Sequence, residues 1–219
     1  NDIQYGCVVN CIDYDISSSS SLITVSCEGG RKFYGSQVIV AVSLPILQQR
    51  RIQFNPSLPT PKQVAIDTVT FEPGMKVFME FSTKFYFTYF GLQHKRQRKE
   101  SKHGMMYFYD ETELNSIPKK KNSRQNRNNN DDNNDSNNQQ HILGIFIYGD
   151  MAKKYVTLEN DADVLKLLLE ELDEAYKGKA TRYFVKGFVQ NWSKEPYIGG
   201  TYSSYRKGMK SMYPIWEPL

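Results

Sequence analysis

Asn191–Gly208, NWSKEPYIGGTYSSYRKG, packs Trp192, Tyr197, Tyr202 and Tyr205 around the paired glycines Gly199 and Gly200. Glycine permits backbone angles and close approaches that a Cβ forbids. A Gly-Gly pair framed by aromatics therefore describes a loop brought tightly against something flat, or a surface hairpin with buried rings. A second candidate is Lys76. It lies in an alternating run, Lys76–Ser82, where Val77, Met79 and Phe81 share one face and Lys76, Phe78 and Glu80 the other. On spacing alone Lys76 is a strand lysine able to pair with Glu80. His94, His103 and His141 are scattered, so no metal site is expected. Cys7, Cys11 and Cys27 form no CxxC pair and are expected as reduced thiols of an intracellular protein.

The elements that must position these residues follow from patterning. Tyr5–Tyr14 and Leu22–Glu28 have the β-branched and aromatic content of strands, and Gly29-Gly30 is a turn into Arg31–Tyr34. Gln37–Val42 is continuously apolar and predicts a strand covered on both faces. Ser43 can cap a short helix holding Leu44, Ile46 and Leu47, and Thr60-Pro61 opens another through Ile66. Met105–Tyr109, His141–Tyr148 and Tyr183–Val189 are further strands. Asp161 through Tyr176 is the clearest helix: Val164, Leu165, Leu168, Leu172 and Ala175 recur at helical spacing, and Lys177-Gly178 ends it. Six or seven strands and three helices without regular crossovers predict an α+β fold, a mixed β-sheet flanked by helices.

Of the 19 residues in Asn122–Gln140, 12 are Asn or Gln and none is aliphatic or aromatic. Such a tract cannot bury enough apolar surface to offset its ordering entropy. It is read as a disordered loop insertion, about residues 119–140, with no catalytic role. The net charge of +4 and basic clusters confined to polar stretches, Lys95–Lys102 and Lys119–Lys121, give no stripe for nucleic acid. No apolar run reaches the ~18–20 residues of a membrane span. The chain starts at Asn1 and stops at Leu219 in the manner of a piece of a longer polypeptide.

Asn191–Gly208 resembles the W–(D/E)–P–(Y/W)–x–x–G–x–Y–(S/T) segment of the flavin-dependent amine oxidases, the monoamine and polyamine oxidases and flavin-type lysine demethylases. Four earlier stretches are similar to that family in its own order: VIVAVSLPIL (Val38–Leu47), IQFNPSLPTPKQVAI (Ile52–Ile66), GMKV (Gly74–Val77) and LGIFIYGDMA (Leu143–Ala152). Ser43-Leu44-Pro45 departs from the family's Pro-Leu-Gly, and Tyr86 stands where Trp is common.

By this resemblance Lys76 is the catalytic lysine that holds a water near the flavin. Tyr202 is a wall of the cage around the substrate amine. Val9, Trp192, Tyr197, Gly200 and Thr201 lie on the cofactor side. Thr201 stands where monoamine oxidases carry the cysteine bonded to flavin, so the implied FAD is non-covalent. The chemistry implied is oxidation of a C–N bond by hydride transfer, giving imine and peroxide. An aromatic, poorly solvated slot disfavours ammonium and presents the neutral amine that such transfer needs. No GxG occurs among the 14 glycines, so phosphate cradling falls to a dinucleotide-binding domain elsewhere in the polypeptide. The expected partners are a small-molecule amine and that remainder of its own chain, with the 219 residues silent alone. A lysine demethylase and an inactive interaction domain are the alternatives.

Overall fold

The computed structural model describes residues 3–15, 22–91, 104–112 and 141–204. The Asn-rich tract and Tyr205 lie outside them. The chain divides into two compact units, residues 1–72 with 192–219, and residues 73–191.

In the first unit, β1 (Val9–Asp13), β2 (Ile23–Cys27), β3 (Lys32–Gly35) and β4 (Gln53–Asn55) form a four-stranded sheet in the order β3-β2-β1-β4. It is mixed: β1 runs parallel to β4 and antiparallel to β2. Ile12, Ile46 and Ile52 are its buried centre, packed by Val9, Val25 and Phe54. The helices α1 (Leu44–Gln48) and α2 (Thr60–Thr68) are tied by Gln48, whose amide donates to the carbonyls of Ile66 and Val69, both at 2.8 Å. The short strand β5 (Thr70–Glu72) follows.

Three expectations are corrected here. Gln37–Val42 is not a strand covered on both faces; it joins no ladder, and Ile39 is 93% exposed. An apolar run reports that a segment is to be covered, not by what, and none of the described strands pairs with it. Ser43 does not cap α1 through its side chain; the hydroxyl donates instead to the carbonyl of Ile198. Cys7 and Cys27 are not reduced thiols but a disulfide with a Cα–Cα separation of 5.5 Å, and only Cys11 is free. The β1–β2 register sets Val9 opposite Cys27 and so carries Cys7 within reach, a juxtaposition that linear spacing does not disclose.

The second unit is built on β6 (Gly74–Phe81), β7 (Tyr89–Phe90), β8 (Gly104–Asp110), β9 (His141–Gly149) and β10 (Phe184–Asn191), in the order β10-β6-β9-β8-β7 and wholly antiparallel. The helices are α3 (Lys153–Val156), α4 (Asp161–Tyr176) and α5 (Lys179–Tyr183). The alternation read from the sequence holds. Val77, Met79 and Phe81 are buried, with Phe108, Ile145 and Ile147 beside them and Val164, Leu168 and Leu172 of α4 packed into the same core. Each such side chain contributes roughly 1.5–3 kcal/mol by leaving water. Asn160 caps α4 by accepting from the Asp163 amide at 2.9 Å, and Lys177 ends it in the left-handed conformation at φ 56°. Glu171, buried on the apolar side of α4, is satisfied by an ion pair with Lys154.

The last strand, β11 (Tyr202–Ser204), returns to the first unit and pairs antiparallel with β5. The eleven strands and five helices of the described residues exceed the six or seven and three expected. The excess is in elements of two to five residues, too short to impose a period on the sequence.

One ion pair of the second unit is pH-sensitive. Burial pushes the Asp110 carboxyl up, but hydrogen bonds from Lys84 and Thr112 and the Lys84 charge outweigh it, holding it below the ordinary carboxylate value. The Lys84–Asp110 contact is 2.5 Å. A carboxylate whose pKa falls on folding stabilises the fold above its unfolded value, ~3.9, and that stability is lost as pH falls through the folded value. Lys84→Met is therefore expected to cost about 1–2 kcal/mol at pH 7. The gap to wild type should shrink toward pH 3. Urea melts across that range check this; a gap independent of pH would show that the carboxylate is not stabilised by its partner.

Candidate active site

In the second unit, β6 lies between β9 and β10, and its alternation sends Lys76, Phe78 and Glu80 to the face away from α4. The register sets Phe146 and Gln190 on either side of Lys76, with Tyr107 beyond Phe146. The Lys76 ammonium lies 5.9 Å from the centre of the Phe146 ring, and Phe146 stacks on Tyr148 at 5.4 Å. Glu80 does not pair with Lys76, as spacing alone allowed. Four residues along one strand separate the two by ~13 Å, and Glu80 pairs across the ladder with Lys186 at 3.2 Å. Phe78 faces Gly144, over which the Tyr109 ring lies; a Cβ on Gly144 would stand 2.4 Å from that ring. Burial and, after it, Glu111 push the Tyr109 phenol up, so it stays neutral. The result is the Lys76 cation set among rings, with the other lysine of this face, Lys186, held by Glu80.

In the first unit the glycine loop meets what its composition predicts, a flat surface. A Cβ on Gly200 would lie 2.6 Å from the Phe71 ring and 2.7 Å from the Glu72 carbonyl oxygen. Gly199 takes φ 74° against Pro45. Thr201 clamps the loop to β5: its amide and hydroxyl both donate to the Glu72 carbonyl, at 2.8 and 3.0 Å. Tyr202, a residue 55% exposed, then pairs with Glu72 across β5 and β11. The buried Glu72 carboxylate accepts from the Ser204 hydroxyl.

Beside this loop is a cavity of about 580 Å³ whose lining includes Val9, Val42, Ser43, Arg51 and Tyr197. It brings together two residues far apart in the chain, Val9 and Tyr197, that the sequence assigned to the cofactor side. Arg51 was missed. Its guanidinium sits 5.1 Å over the Tyr197 ring and donates to the Pro196 carbonyl, holding the ring at the cavity edge. No periodicity marks Arg51, and an Arg-Arg pair reads as solvated surface. Phe146 and Gln190 were missed for a different reason: only cross-strand register places them next to Lys76, whereas Phe78 shares its strand and face. Trp192 is half-buried at the start of the loop, its carbonyl accepting from the Glu195 amide at 3.2 Å. Lys76 belongs to the second unit and the other six candidate residues to the first.

A mixed sheet, an antiparallel sheet carrying Lys76 among rings, and a glycine loop pressed on a ring define an α+β protein with an aromatic sheet face. The family model described as flavin containing amine oxidoreductase matches residues 1–216, and the chain belongs to that family. It is 28% identical over 213 residues to human lysine-specific histone demethylase 2, covering 94% of this chain and 22% of that protein. Polyamine oxidase 7 of rice (Oryza sativa subsp. japonica) is 36% identical over 78 residues, 36% of this chain and 16% of that one. A solved putrescine oxidase bound to putrescine superposes with a TM-score of 0.57 at 19% identity, over 89% of this chain and 36% of that chain. The fold is that of the amine oxidases. The chain spans well under half the length of these relatives.

The residues present fit a flavin. The cavity is within the range of ligand pockets, and its lining mixes apolar side chains with Arg51 and Ser43.

Proposed function

We propose that this chain is the substrate-side portion of an FAD-dependent amine oxidase that oxidises a C–N bond of a primary or secondary amine or polyamine. The observation that carries it is Lys76, a lysine without an ion pair among the described residues, set in an aromatic sheet face in a chain of this family. Val9, Trp192, Tyr197, Gly200 and Thr201 would hold the cofactor, with the dinucleotide-binding remainder of the polypeptide supplying its phosphate contacts. FAD so held supplies a hydride acceptor. Lys76 would hold a water by its ammonium on the sheet side. Tyr202 would be one wall of the slot for the amine, and the rings beside Lys76 would exclude water and favour the neutral amine. The exposed apolar run at Gln37–Val42 suits burial against that same remainder.

Thr201 cannot form a thioether, so the flavin should be released intact. The full-length polypeptide, purified and denatured in acid, is expected to leave all its yellow chromophore in the supernatant as FAD. A polypeptide without flavin absorbance would instead support the inactive interaction domain.

A further inference from the structure

Charge is distributed unevenly on the sheet face that carries Lys76. In the row of Lys76 stand Phe146, Gln190 and Tyr107; in the next row stand Phe78, Phe188, Gly144 and Tyr109. Neither row holds a carboxylate. Toward Phe78 the first acid, Glu80, is two rows away and is neutralised by Lys186; past Tyr148 at the other end, Asp150 is paired with Lys153. Glu111 lies at the Glu80 end, its amide donating to the Ile142 carbonyl at 2.8 Å. One row is roughly 7 Å along a strand, about the reach of a four-carbon spacer. An amine reacting near Lys76 thus places a second nitrogen against rings and beside an existing ammonium. Rings attract cations, but the Phe146 ring already meets the Lys76 ammonium. One row on, the Phe78 and Phe188 rings offer a second cation a weak attraction but no carboxylate to pair with, and the Lys76 ammonium repels it.

Resting on the oxidase reading above, we propose that Phe78, Phe146 and Phe188 are specificity-determining residues. They select amines with a single nitrogen on an apolar or aromatic tail and reject di- and polyamines. This choice differs from the substrates named for the rice polyamine oxidase and the solved putrescine oxidase.

The test uses the flavin-loaded full-length polypeptide with benzylamine, 1,4-diaminobutane, spermine and a dimethyl-lysine peptide. Both kcat/KM and the thermal shift produced by each amine under anaerobic conditions are read. Benzylamine is expected to lead the diamine and spermine by roughly tenfold or more in kcat/KM and to give the largest thermal shift. Phe188 is 57% exposed and can accept a charge. Phe188→Glu is expected to narrow the benzylamine-to-diamine ratio by roughly tenfold, and added salt should erode that change. Spermine, diaminobutane or the peptide matching benzylamine in the wild type overturns the proposal while leaving the oxidase reading intact. So does a Phe188→Glu protein that melts like wild type with an unmoved ratio. If no amine reduces the flavin, the oxidase reading fails and the specificity proposal with it.

Discussion

Replacing Lys76 by Met should lower amine oxidation by about 10²–10³-fold in kcat while leaving KM within a small factor. Methionine keeps the length and apolar stem of lysine and removes only the ammonium. If the ammonium acts on a held water, its loss falls on the reaction steps and not on the apolar contacts that bind the amine. Folding should survive the change. Lys76 faces away from the α4 side of its sheet, is half-buried, and has no ion pair among the described residues whose loss would strand a carboxylate. Stopped-flow traces of flavin reduction and reoxidation, with a melting curve as control, decide the matter. Wild-type rates in both half-reactions would remove Lys76 from the chemistry.

Gly200→Ala is expected to cost about 2–3 kcal/mol of stability, at the upper end of what an added methyl does to a packed site. The added carbon would meet the Phe71 ring at 2.6 Å and the Glu72 carbonyl oxygen at 2.7 Å. The ring can turn aside. The carbonyl cannot do so cheaply, because it accepts both the amide and the hydroxyl of Thr201. Moving it breaks the clamp that starts β11 and positions Tyr202. A fall in melting temperature of roughly 4–10 °C is expected, together with weaker flavin retention by the full-length polypeptide. Gly29→Ala is the comparison, since a Cβ there meets nothing within 4 Å and the only penalty is its left-handed φ of 79°. Equal melting temperatures for the two variants would rule out the close approach as the reason for glycine at position 200.

Much of the fold was legible wherever a long element buries one side. α4 runs over Asp161–Tyr176, the span that its apolar spacing predicted, because sixteen residues sample more than four helical turns and the period stands out. β6 was legible for the same reason, its strict alternation sorting buried from half-buried residues. β4, β5, β7 and β11 were not, being two or three residues long. The site was legible in part. Lys76, Tyr202 and the glycine loop could be proposed because motif order and family likeness marked them. Phe146, Gln190 and Arg51 carry no local mark. Their role comes from being opposite Lys76 or over Tyr197, and neither relation is a sequence neighbour.

Sequence by itself determined the family and the buried stripe of each long element, and it supplied the residues proposed for the chemistry: a lysine, a tyrosine and two glycines. These depend on local periodicity and on motif spacing, which a linear chain preserves. Tertiary structure decided the partners. Strand register set Lys76 against a ring and gave Glu80 to Lys186. It brought Cys7 to Cys27 and left Gln37–Val42 outside the ladders, where a strand had been expected. Such pairings belong to contacts between distant segments, and a one-residue slip in register would change every one of them.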